Sequence, residues 1–138
     1  MAPITGPAET ISLTFKTNSG EGLLFHTGDG GNYLNIGLKD AVVYIALQMG
    51  SGEKLEYLGR GRQFDDNLWH TLYVHRNVKM MHASVDGSYE ISKSFAGNFH
   101  EINSRILFLG GASKLKNLPG VRTVQNFHGC LKNVSRRI

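Results

Sequence analysis

Ile11-Ser12-Leu13-Thr14-Phe15-Lys16-Thr17 alternates apolar and polar residues without a break. Successive side chains of an extended chain point to opposite faces. Ile11, Leu13 and Phe15 therefore make one apolar stripe, and Ser12, Thr14 and Lys16 make its polar reverse, as in a half-buried β-strand. Asn18-Ser19-Gly20-Glu21-Gly22 follows as a turn. The same unit recurs along the chain. Strands are expected at residues 23–27, 32–38, 41–49, 55–58, 68–76, 79–85, 91–95, 105–111 and 127–134, between turns rich in Gly, Asn and Asp. In the third, Leu34, Ile36 and Leu38 share one face and Tyr33, Asn35 and Gly37 the other. Asp86-Gly87 reads as a hairpin turn, because glycine tolerates positive φ. Residues 105–111 read as a core strand and 115–124 as a long loop. Helical periodicity is nearly absent, and the 17 glycines suit many turns. The fold class is all-β, an antiparallel β-sandwich.

With 138 residues, the chain is expected to form one domain, over residues 11–138, with a core that needs no staples. Residues 1–10 read as a flexible leader or an added remnant, with neither the basic nor the apolar region of a signal peptide. The piece reads as cut from a longer protein. No apolar run approaches the roughly 18 residues that span a bilayer.

Cys130 is the only cysteine, and Asn133-Val134-Ser135 beside it is an N-glycosylation sequon. Three roles stay open for the thiol: a buried free cysteine, half of a disulfide whose partner lies outside the fragment, or a nucleophile. His128 and Lys132 share its strand face, which would favour a reactive thiolate. No oriented base or oxyanion site accompanies them. The sequon and the lone cysteine together point to a secreted domain. The formal charge is +4, and Lys114, Lys116, Arg122, Lys132, Arg136 and Arg137 crowd the last quarter of the chain. They read as solvated loops and a frayed tail, or as a patch for an acidic glycan such as heparan sulfate, with Lys114, Lys116 and Arg122 as its binding residues. No aromatic interleaving or zinc-finger spacing supports nucleic-acid binding.

Of six histidines, none has a zinc-ligand spacing. Trp69 is expected in the core, with His70 structural on the opposite face. Asp65 and Asp66 read as turn residues. A glycosidase would need two carboxylates roughly 5–10 Å apart across a cleft. The eleven acidic residues show no such pair, and no nucleophile elbow, phosphate loop or dinucleotide fingerprint occurs. The chain is read as a binding module, not an enzyme.

Several motifs occur in a specific order: Ile11-Ser12-Leu13-Thr14-Phe15, Gly22-Leu23-Leu24, Tyr33-Leu34-Asn35-Ile36-Gly37-Leu38, Asp66-Asn67-Leu68-Trp69-His70, Val85-Asp86-Gly87, Leu109-Gly110-Gly111 and Phe127-His128-Gly129-Cys130-Leu131. Together, over residues 11–134, they resemble a laminin G-like (LNS) domain. Gly50-Ser51-Gly52, Asn67-Leu68-Trp69-His70 and Leu118-Pro119-Gly120 resemble the neurexins in particular. The resemblance implies a jelly-roll-like sandwich whose rim loops bind extracellular or cell-surface proteins, in adhesion at synapses, on a membrane-anchored parent. A glycan-binding matrix module is the alternative. The resemblance also implies that the partner of Cys130 lies in a later segment. It further implies one rim calcium, with ligands mapping to Asn32, the carbonyl of Met49, and a carbonyl near His100. Calcium takes about 6–8 oxygens and binds more tightly as ligand charge rises. Asn32, a neutral amide where the family has an acid, should make the site weak unless Asp29 restores a charge.

Overall fold

The computed structural model describes residues 8–28, 31–48, 52–77, 80–94 and 107–137. Each expected strand has its counterpart: β1 (Glu9–Lys16), β2 (Gly22–Gly28), β3 (Tyr33–Lys39), β4 (Val42–Gln48), β5 (Glu53–Leu58), β6 (His70–Arg76), β7 (Met80–Val85), β8 (Tyr89–Ser94), β9 (Leu107–Leu109) and β10 (Cys130–Arg137). They form two five-stranded sheets, ordered β10-β1-β6-β7-β8 and β5-β4-β3-β2-β9. The apolar stripe of β1 meets Leu34, Ile36 and Leu38 of β3 and Val43, Ile45 and Leu47 of β4 in one core.

Two irregularities set the registers. In β10, Ser135 opposes Ser12 and Lys132 opposes Thr14, so Asn133 and Val134 together face Leu13. Asn133 takes the left-handed conformation at φ 53°, which asparagine tolerates better than most residues. This bulge keeps Leu131 and Arg136 on the inner side and Lys132 and Ser135 on the outer. In β2, the register shifts between Leu23 and Phe25, so Leu24 and Phe25 both reach the core. Asp40 and Ala41, at φ 52° and 66°, make the tight β3–β4 turn. Alanine is unusual there. Its backbone is fixed from both sides, donating to Gly20 O at 2.9 Å and accepting from Phe64 N–H at 2.8 Å.

The boundaries differ from expectation at both ends. Glu9 and Thr10 belong to β1, not to a leader. Glu9 is buried at 1% exposure because Arg76 meets it at 2.6 Å and Arg136 bonds its other oxygen. The last strand likewise runs past Val134 to Arg137, so the basic tail is sheet. Residues 107–109 make an edge strand instead of a core strand. Leu107 and Leu109 stay 43% and 42% exposed, since among the described residues β9 pairs only with β2.

Removing one partner of a buried ion pair leaves an uncompensated charge. Glu9→Ala should therefore lower stability in urea unfolding by about 3–5 kcal/mol. Arg136→Gln should cost less, because Arg136 is partly exposed and Arg76 keeps its carboxylate.

Candidate functional site

Strands β2, β3 and β4, at the middle of the sheet β5-β4-β3-β2-β9, are buried on both faces. The inner face meets the core. The outer one carries Tyr33, Asn35 and Gly37, expected to face away from the core, and the chain between β9 and β10 covers it. A linked set of polar groups lies beneath. Arg122 N–H donates to Tyr44 Oη at 3.2 Å, Tyr44 donates to Asn35 Oδ1 at 2.5 Å, and Asn35 Nδ2 donates to His26 Nδ1 at 2.8 Å. The last bond needs a neutral imidazole with Nδ1 as acceptor, and burial holds His26 down to about 4. Burial likewise pushes Tyr44 up to about 12. The covering segment is tied down elsewhere, with Thr123 donating to Glu21 at 3.0 Å and Gln125 to Ser19 at 2.8 Å. Gly120, at φ 81°, lies so close to Tyr33 that a Cβ would stand 2.3 Å from the ring.

At one end of this face, Tyr33, Gln48 and Glu53 line up across β3, β4 and β5. Tyr33 donates to Glu53 Oε2, and Arg122 donates to Glu53 Oε1 and, at 2.9 Å, to Gly120 O. Burial and the Glu53 bond push Tyr33 up to about 12. Asn32 sits partly buried at the bend entering β3. The Tyr33–Gln48 pairing brings the chain entering β3 and the chain leaving β4 to the same end. Asp29, Met49 and His100 lie outside the described residues. Those described fit calcium only weakly. Asn32 offers a neutral amide, both oxygens of Glu53 are engaged, and Arg122 adds a positive charge beside them. No group of three or more metal-ligating side chains occurs among the described residues.

The other candidates separate. Lys114 and Lys116 are exposed and flank a groove of about 640 Å³ lined also by Leu115, Val121 and Val124. Arg122 does not join them, because its guanidinium is bound to Glu53. Cys130 is free and exposed, which removes the buried-thiol reading. Asn133 is exposed at the bulge, where its side chain is accessible for modification. Trp69 and His70 lie on opposite faces, but Trp69 is 41% exposed while His70 is buried at 3%. His70 is drawn inward by Asp86 at its Nδ1, 2.7 Å away, and Asp66 at its Nε2, 2.8 Å away. It packs on Phe15 and Phe64. Burial alone would raise the Asp66 carboxyl, but hydrogen bonds from His70, Leu68 N–H and Arg62 hold it down to about 2.

A family model for the laminin G domain matches residues 15–136. The chain belongs to the laminin G domain family. It is 33% identical over 142 residues to Neurexin 1 of Drosophila melanogaster, covering 96% of this chain and 8% of that protein. It is 32% identical over 150 residues to Neurexin-2 of Mus musculus, covering 96% and 9%. The chain thus spans less than a tenth of the neurexins it matches. In fold it is similar to domains LG4-5 of the mouse laminin alpha1 chain, with a TM-score of 0.82 at 17% identity over 99% of this chain and 37% of that one.

The covered outer face of this laminin G domain was hidden from alternation, which assigns faces without saying what lies over them. The one signal in the sequence was Asn35, a polar side chain in an otherwise apolar neighbourhood. The domain should be acid-sensitive through His26. The unfolded chain takes up that proton near 6.5 and the folded one only near 4. The stability contributed by neutral His26 is therefore complete above about pH 6.5 and lost as pH falls toward 4, by up to about 3 kcal/mol. Urea unfolding at stepped pH should show a shallower loss over that window in His26→Gln.

Proposed function

We propose that this laminin G domain is an extracellular adhesion module of a neurexin-type cell-surface receptor, binding a protein partner through the rim loops around Asn32. The match to the laminin G domain over residues 15–136 carries this reading. Identity of 33% to a neurexin over nearly the whole chain supports the receptor type. An accessible sequon at Asn133 and an exposed lone Cys130 suit an oxidising, glycosylating compartment. Binding rather than catalysis fits a surface in which Glu53, Asp66 and Asp86 are each engaged by a neighbouring side chain.

Calcium at the rim is proposed as a weak ligand, held by the Asn32 amide and loop carbonyls. Its role would be to order the loops. A second reading, a glycan-binding module, rests on Lys114 and Lys116 at the mouth of their groove. Only two cations remain there once Arg122 is committed to Glu53, which favours the rim.

Binding of the soluble domain to cells that express its partner separates the two. Asn32→Arg should abolish adhesion and leave folding intact, while Lys114→Gln with Lys116→Gln should change it less than about twofold. Loss with the lysine pair and steep weakening with salt would favour the glycan reading. In calorimetric titration, calcium should bind with a Kd no tighter than about 10⁻⁴–10⁻³ M, and Asn32→Asp should tighten it about tenfold. Equal heats for both proteins would remove Asn32 from the site.

A further inference from the structure

We propose that the outward face of β10, β1 and β6 is a second docking surface, separate from the rim, that seats an extended acidic segment of a protein partner. The register puts Cys130, Lys132, Ser135 and Arg137 of β10 opposite Lys16, Thr14, Ser12 and Thr10 of β1. Thr14 and Ser12 in turn oppose Thr71 and Tyr73 of β6. Arg137 therefore stands at one end of the face and Lys16 and Lys132 toward the other. Six residues of strand separate Thr10 from Lys16, about 20 Å. A groove of about 470 Å³ lined by Thr10, Ser12, Tyr73, Ser135 and Arg137 runs between.

Trp69 closes the lysine end. Its ring lies 4.0 Å from Lys132 Nζ and 5.5 Å from Lys16 Nζ. The loop that carries it is rigidly held. Asn67, at φ 60°, donates to Thr17 O at 2.8 Å, and Asp66 is bonded to His70 and Arg62. An aromatic side chain fixed in advance loses little entropy when a partner covers it. Trp, Tyr and Arg are also the types that dominate interface energetics.

Charge selects the partner. The only acidic residue on the three strands is Glu9, turned inward and buried by Arg76 and Arg136. Of the carboxylates off these strands, Asp66 is committed to His70 and Arg62 and Asp86 to His70 and the Thr71 N–H, while exposed Glu90 lies on the edge strand β8, two strands beyond Tyr73. Three cations spaced over about 20 Å match the sparse carboxylates of a peptide. Several hydroxyls of the face are already paired, Thr10 with His75 at 2.8 Å and Thr14 with Thr71 at 3.0 Å. A saccharide would find few polar partners there, whereas two aromatic rings suit apolar side chains interspersed with acids.

Trp69 is the only tryptophan, so its emission reports on this face directly. Titration with hexaglutamate should give a saturable emission change, weakened about tenfold or more in Lys16→Gln with Lys132→Gln. It should stay unchanged in Lys114→Gln with Lys116→Gln. Calorimetry should show the same loss in Tyr73→Ser, with circular dichroism confirming that each variant folds. No saturable change, equal weakening by both lysine pairs, or a response to a heparin hexasaccharide without one to hexaglutamate would overturn the proposal. Rim binding to cells is read separately through Asn32→Arg, so either surface can fail alone.

Discussion

The register of β1 against its two neighbours is the constraint on which the rest depends. β1 joins the last strand of the chain to the middle of it, pairing with β10 on one side and β6 on the other. A slip of one residue would put Ile11, Leu13 and Phe15 into water and Ser12, Thr14 and Lys16 into the core. The same slip would turn Glu9 away from Arg76 and carry Lys16 away from Trp69. The bulge at Asn133 holds this register at the open edge. It absorbs one extra residue, so that Arg136 can reach Glu9 on the inner side while Lys132 and Arg137 stay outside. Without that residue, the basic end of the chain could not serve both faces.

A second requirement follows from covering the other sheet twice. Once the segment after β9 lies over β3 and β4, each polar group beneath it must find a partner there, since an unpaired one costs roughly 1–3 kcal/mol. Arg122, Tyr44, Asn35 and His26 solve this in series, each donor meeting one acceptor. No buried side-chain nitrogen or oxygen among the described residues is left without a partner. The solution requires a neutral His26, and Gly37 and Gly120 let the tyrosine rings approach the backbone. Acid sensitivity is thus a by-product of burying this face.

The strands were legible in the sequence because alternation encodes them locally, as in residues 11–17. What failed to show depends on groups distant in sequence. Hydrophobicity alone sends Trp69 inward. The decision is made by Asp86, sixteen residues after His70, which together with Asp66 draws the imidazole in and leaves the indole outside. Arg122 reads as one of three basic loop residues until Glu53, sixty-nine positions away, takes its charge. Leu107 and Leu109 look like core, yet an edge strand buries only the side chains that its single neighbour shelters. Of the candidate site, the neutral amide at Asn32 was visible at once, because it is a substitution of residue type and needs no geometry.

These commitments decide which charges remain for partners. Glu53, Asp66, Asp86 and Glu9 are each engaged by cationic or hydrogen-bonding neighbours. Among the described residues they contribute little free negative field near the rim and the β1 face. Lys114, Lys116, Lys16, Lys132 and Arg137 are not neutralised in the same way, and they lie on separate surfaces. Internal pairing thus leaves Lys114 and Lys116 on one surface and Lys16, Lys132 and Arg137 on another. The fields of such cations raise encounter rates with acidic partners and fade beyond about 8 Å at physiological salt. Under the two proposals, a partner at the Asn32 rim and another on the sheet face would occupy different surfaces.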